Sequence, residues 1–248
     1  MTLLTPDMKM AEVLHRNYLL IPVINRFGIR LGLGEKTVSM VCIEHQIDTD
    51  FFLTIINTFS NENYFPLKKL QTFNVLTIIE YLRKTHQYYL YTQIPTIERQ
   101  INNLITSCTQ QCNNLELVKK FFLNYKKELE IHINREETIT FPYIQKIYEL
   151  YLGTFNALSY QEVSKQYSMK IFGKEHDNID DKLYDLQNIL IKYVTSNFDE
   201  TVCNSLIFEL FRLEKDIKDH TRIEDKVLIP LIIEIENALK TQLVRAEK

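Results

Sequence analysis

The sequence predicts an all-α protein: an up-down-up-down four-helix bundle preceded by a small helical N-terminal domain. Three observations carry this expectation. Five glycines and six prolines in 248 residues are too few for the many turns of an all-β chain, and they leave room for long helices. From about residue 67 onward, apolar residues recur in four long runs at alternating steps of about three and four, the pattern of a helix with one buried stripe. The breaks between the runs are short, and short connections make consecutive helices antiparallel neighbours.

Residues 1–65 hold three short amphipathic patterns: AEVLHRNYLLIPVINRFG, GEKTVSMVCIEHQ and DTDFFLTIINTF. The polar, proline-containing segment SNENYFP then marks a domain boundary, and 66–248 is assigned to the bundle. Its first run has Val75, Ile79, Leu82, His86, Tyr89 and Ile97. The second has Val118, Phe122, Tyr125, Leu129, His132, Glu136, Ile139 and Tyr143. Met169, Phe172, His176, Ile179, Leu183, Leu186, Leu190 and Tyr193 make the third. The fourth carries Leu206, Leu210, Leu213, Ile217, His220, Glu224, Val227 and Leu231. Breaks fall around 105–113, 151–158 and 195–201, while Pro95, Pro142 and Pro230 lie inside helical patterns, where each should kink its helix or start a new segment. The second and fourth runs superpose at a constant offset of 88, so the bundle reads as two related hairpins.

Bulk properties exclude several functions. A net charge of −3 gives no electrostatic footprint for nucleic acid or an anionic membrane surface. No apolar run is long enough to span a bilayer. Without a charged segment leading into an apolar one at the N-terminus, secretion is not expected, and the expected compartment is the cytoplasm. Cys42, Cys108, Cys112 and Cys203 do not form a dense disulfide framework. Cys108 and Cys112 could share a metal on a helix, but two thiols do not complete a zinc site.

The histidines carry the functional signal. Antiparallel geometry converts distance from a break into height, and His86, His132, His176 and His220 each lie about 17–19 residues from one. At roughly 1.5 Å per residue all four sit near one level, some 27 Å from the bundle ends. Each occupies its helix's apolar stripe, with Glu136 and Glu224 one turn beyond His132 and His220 on the same faces. A lone histidine on such a stripe is ordinarily a satisfied core residue. Two carboxylates and four imidazoles in one slice, with no Lys or Arg on those stripes, are different. Unpaired buried carboxylates cost several kcal/mol each and repel one another.

A bound metal resolves this cost, and imidazole with carboxylate suits iron, manganese or zinc. Two bridging carboxylates and four imidazoles fill most positions of two six-coordinate irons joined by an oxo or hydroxo bridge, leaving about one open position each for a diatomic ligand or water. The expected metal ligands are therefore His86, His132, Glu136, His176, His220 and Glu224. Glu175, Asp177 and Asp219 stand beside ligand histidines and are candidates to accept a ring N–H, against a solvated helix face as the alternative. Tyr88, Tyr89, Tyr91, Phe141 and Tyr143 either line the site or simply pack the core. His15 and His45 lie outside the slice and are read as structural.

The paired His-x-x-x-Glu motifs, with partner histidines on the other two helices, resemble the hemerythrin-like domain. The preceding LIPVINRFGIRLGLGEKTV resembles the small domain found before it in the repair-of-iron-centres family. The resemblance covers nearly the whole chain and implies a cytoplasmic di-iron protein tied to nitrosative and oxidative stress. Binding or reaction with O2 or NO and repair of iron–sulfur proteins would follow, with a homodimer as a further expectation. This chain has Gly32 and Leu33 where the family's small domain usually carries adjacent cysteines, and Gln87 follows His86 where many relatives have His-His or a histidine one place later.

An alternative reading makes the bundle an O2-, NO- or iron-responsive sensor that contacts a regulatory partner through residues 1–65. EKTVSMVCIEHQIDTDFFLTII has the form of a helix-turn-helix, yet residues 1–65 contain five Lys or Arg against seven Asp or Glu, a balance of −2. A DNA-reading surface ordinarily has the opposite sign.

Overall fold

The structure, a computed structural model, describes residues 2–109, 113–153, 157–169, 179–194 and 198–246. They form helices and connections; one isolated antiparallel bridge, Lys9 to Thr37, is the nearest approach to a strand among them. No described helix is long and apolar enough to cross a membrane.

The N-terminal unit is built from α1 (Met10–Arg16), α2 (Leu20–Arg26), α3 (Val38–Glu44) and α4 (Thr49–Ser60). Side-chain caps set where two of these begin: Thr37 accepts from the Met40 N–H, and Asp48 from those of Asp50 and Phe51. Gly28, at φ 79°, ends α2 in a left-handed turn in which the Ile29 N–H reaches the Ile24 carbonyl at 3.2 Å. Gln46, at φ 56°, ends α3 the same way, with Ile47 N–H to the Cys42 carbonyl at 2.9 Å. α4 is the unit's centre, buried at every position from Phe51 to Phe59. Asn57 on α4 accepts from the Leu4 N–H and donates to the Leu4 carbonyl, tying down the chain start.

After the short α5 (Leu67–Leu70) come the four bundle positions. The first is α6 (Val75–Tyr88), a π-helical turn Tyr89–Gln93 and α7 (Ile94–Ser107). The second is α8 (Asn113–Arg135), a π turn Glu136–Thr140 and α9 (Phe141–Leu152). The fourth is α12 (Glu200–Ile223), a π turn Glu224–Leu228 and α13 (Ile229–Ala246). Toward the third, the described residues contribute α10 (Ala157–Gln166) and α11 (Ile179–Tyr193).

The expected proline kinks take one specific form. Pro95, Pro142 and Pro230 are each the second residue after a π turn. A proline offers no N–H, and its ring collides with the carbonyl four residues back. Widening the preceding turn by one residue removes the collision, and the helix continues. The bond closing each turn runs five residues back: Ile94 N–H to Tyr89, Phe141 to Glu136, and Ile229 to Glu224. The π turns of the second and fourth bundle positions keep the 88-residue offset of the two hairpins.

The extra residue also shifts the buried stripe. Ile139, expected inside, is 46% exposed, and Thr140 takes the inward position instead. Leu231 likewise yields to the fully buried Leu228 and Ile232. The third run, expected from Met169 to Tyr193, follows a non-helical step at Tyr167 and Ser168, and of its residues Phe172 and His176 lie outside the described ones. Just after that step the Met169 N–H donates to Glu236 Oε1 at 3.0 Å, a tertiary acceptor across the core. Tyr193, expected on the stripe, is exposed at the end of α11.

Two apolar clusters fill the interior. One joins α7, α8, α11 and α12 through residues such as Phe122, Tyr125, Leu186 and Leu210. The other joins α6, α9 and α13 to the N-terminal unit, so buried residues on both sides of position 65 share one core. On three bundle positions the chain passes between clusters at the histidine or glutamate level: Leu82 to Tyr89, Ile133 to Phe141, and Ile217 to Ile223.

Phe122 is fully buried and Leu117 is 58% exposed. Phe122→Ala should therefore destabilise the fold by about 3–5 kcal/mol, and Leu117→Ala should stay within about 0.5 kcal/mol. Urea unfolding midpoints of the two variants measure both effects.

Candidate metal centre

Ridges of leucine and isoleucine carry each functional side chain to the bundle axis. His86 lies in the last turn of α6, His132 in the last turn of α8, and His220 in that of α12. Glu136 and Glu224 each open a π turn one helical turn later. All are placed by the same registration that buries Leu82, Leu129 and Ile217.

His86, Glu136, His220 and Glu224 converge: one ligand atom from each lies within 4.8 Å of all the others, and all four residues are buried. The Nε2 atoms of His86 and His220 face one another at 3.1 Å. Glu136 Oε2 is 3.2 Å from His86 Nε2, and its Oε1 is 3.1 Å from His132 Nε2. Glu224 Oε1 is 3.1 Å from His220 Nε2. His132 thus joins the group through Glu136 and sits at its more open edge, with a side chain 10% exposed. His176 lies outside the described residues, as do Glu175 and Asp177.

The donor set fits a cation. Two carboxylates of 0% and 2% side-chain exposure would each cost several kcal/mol to ionise in a dry core without a positive neighbour. The ring of His86 is prepared for that neighbour. Its Nδ1 donates to Glu137 Oε1 at 2.8 Å, which fixes the tautomer and leaves the Nε2 lone pair aimed into the cluster. Glu137 is itself held by Arg83 Nε at 3.1 Å. Phe141 stacks on the same ring at 5.6 Å and 8°.

The sequence reading missed Glu137. Its signal was present, because it directly follows the ligand candidate Glu136, but pairing it with His86 requires knowing how α6 packs against the second helix. Asp219, expected to support His220, turns to Lys215 at 3.2 Å and Arg222 at 3.7 Å instead. Burial nonetheless pushes its carboxyl up to about 6. His220 Nδ1 is buried and has no hydrogen-bond acceptor among the described residues. The aromatic candidates separate. Tyr89 and Phe141 touch the histidines. Tyr143 donates to Glu236 Oε1 at 2.6 Å, Tyr88 hydrogen-bonds Arg212, and Tyr91 is 77% exposed. Of the cysteines, Cys42 and Cys203 are buried free thiols, and Cys112 lies outside the described residues.

The model of the hemerythrin HHE cation-binding domain matches residues 77–232, more than half of the chain. The protein belongs to the hemerythrin family. The matched span contains every expected ligand and begins after the N-terminal unit. No curated protein matches the chain. Metal binding by a helical bundle is therefore the property that this hemerythrin domain shares with its family.

Proton and cation compete for His86. Burial opposes a charge on the ring, but Glu136, Glu137 and Glu224 outweigh it and raise His86 from 6.5 to about 9. Because the folded value is the higher one, this pairing stabilises the cation-free fold fully below about pH 6.5 and is lost as the pH rises through about 9. A cation must displace the proton, so its apparent affinity should rise about tenfold per pH unit up to about pH 9. Competition titrations with Zn2+ at several pH values test this, and a flat affinity would contradict it.

Proposed function

We propose that this hemerythrin-family protein holds two iron ions in the slice formed by His86, His132, Glu136, His176, His220 and Glu224, and that the centre binds or reacts with O2 or NO in support of iron–sulfur cluster repair. The observation that carries the nuclearity is Glu136, whose two oxygens face two different imidazoles, His132 at 3.1 Å and His86 at 3.2 Å. A carboxylate so placed is positioned to bridge two ions. Each ion would then draw on imidazoles from different helices.

Iron bound there would supply redox chemistry and an open position for a diatomic gas. The chain's own residues do the rest. Glu137 and Arg83 orient His86, the two apolar clusters exclude bulk water on either side, and His132 stands at the more accessible edge. The resemblance of residues 1–65 to the small domain of the repair-of-iron-centres family supports the repair role and a cytoplasmic setting. The reading as a sensor is less well supported in its DNA-binding form. α4, the second helix of the helix-turn-helix pattern, is buried from Phe51 to Phe59 and presents no face to a groove there.

Anaerobically purified protein should hold about two irons per chain and change its absorption spectrum on exposure to NO or O2. Protein that remains iron-free under those conditions, or is indifferent to both gases, defeats the proposal. Glu136→Ala and Glu224→Ala should each abolish stoichiometric loading. Iron at a hundredfold excess over Kd should stabilise the wild-type fold by about 2.7 kcal/mol, and both variants should lose that increment in thermal unfolding.

A further inference from the structure

His86 and His220 meet at the same place but are held differently. A carboxylate fixes the ring of His86 through Nδ1, whereas Nδ1 of His220 has no acceptor among the described residues. Glu224 and His86 meet His220 at Nε2, on the cluster side. Packing supports the rest of the ring, and Tyr89 contributes to it, with its centroid 5.8 Å from that of His220 at an interplanar angle of 69°.

Tyr89 is itself pinned. Its hydroxyl donates to Asp216 Oδ1 at 3.1 Å, and Asp216 lies one turn before His220 on α12. Asp216 in turn receives both guanidinium nitrogens of Arg26: Nη1 reaches Oδ1 at 2.9 Å, and Nη2 binds Oδ2. Arg26 closes α2 of the N-terminal unit, 190 residues earlier in the chain. The Arg26–Asp216 pair is buried, with side chains 2% and 7% exposed. The guanidinium also lies over the Tyr88 ring at 4.8 Å and near the Tyr89 ring at 5.8 Å. One hydrogen-bonded and packed chain therefore runs from the N-terminal unit to a candidate ligand.

A buried ion pair is seldom the most stabilising way to fill a core, and apolar residues of similar volume often do as well or better. What a bidentate pair offers is direction, since the planar fork fixes the carboxylate, and the carboxylate fixes the phenol. We infer that Arg26 is a positioning residue for the metal centre, acting through Asp216 and Tyr89 to hold the ring of His220, so that the N-terminal unit sets the cation affinity of the bundle. This inference rests on the proposed metal-binding reading.

The test uses the full chain and Fe(II) alone, with anaerobic chelator competition for affinity and thermal unfolding of the cation-free protein for stability. Tyr89→Phe removes one oxygen and keeps the ring, and Arg26→Lys keeps the charge but loses the fork. Each should weaken Fe(II) binding by about tenfold or more, as loss of support behind a ligand typically does. Val41→Ala, in the buried core of α3, should lower the unfolding temperature without changing the affinity. If Tyr89→Phe and Arg26→Lys bind Fe(II) within about twofold of wild type, the inference is overturned and the pair merely holds two parts of the fold together. If wild type itself takes up no Fe(II), the metal-binding reading and the inference fall together. Should Arg26→Lys fail to fold, Tyr89→Phe alone decides.

Discussion

Two buried carboxylates at the centre of the bundle govern the rest of the structure. Glu136 and Glu224 reach the axis from different helices at one level, beside His86 and His220. In water their mutual repulsion would be minor, but in a dry core it is large. A proton held by His86 offsets it in the cation-free chain; a cation does so more fully. Every helix must deliver its residue at the correct height for this to work, which makes the site a constraint on register for the whole bundle.

The three π turns show how the fold meets that constraint. An uninterrupted α-helix through Pro95, Pro142 or Pro230 would clash, and a sharp kink would move the ligands of one half away from those of the other. A widened turn accommodates the ring and keeps the axis continuous. Because Glu136 and Glu224 begin their π turns, their carbonyls accept the closing bonds while their side chains face the cluster. π turns of this kind are often found at functional sites. Here the proline spacing explains why they fall beside the ligands.

The N-terminal unit is less an appendage than a wall of the second core. It shares apolar packing with α6 through Phe27, whose ring stacks on Tyr81 at 5.3 Å. It also inserts the Arg26 guanidinium at the depth of the helix that carries His220. Burial of Arg26 alone would be costly, and the pairing with Asp216 makes it tolerable. The result is a short physical route between a surface-facing unit and the centre of the bundle.

Periodicity alone determined the helical class, the four bundle positions and the shared level of His86, His132 and His220, because burying one stripe per helix ties spacing to height. It also located the prolines and the 88-residue repeat. Sequence does not say that the prolines widen turns, and the extra residue rotates Ile139 and Leu231 off the faces that periodicity gives them. Nor could it show that the Met169 N–H finds Glu236 across the core. The supports behind the ligands were equally hidden. Glu137 beside His86, and Arg26 with Asp216 and Tyr89 behind His220, join residues from about 50 to 190 positions apart. Ligand height follows from local geometry and can be counted along the chain. The choice of partner across a packed interface depends on which faces meet, and only the folded core decides that.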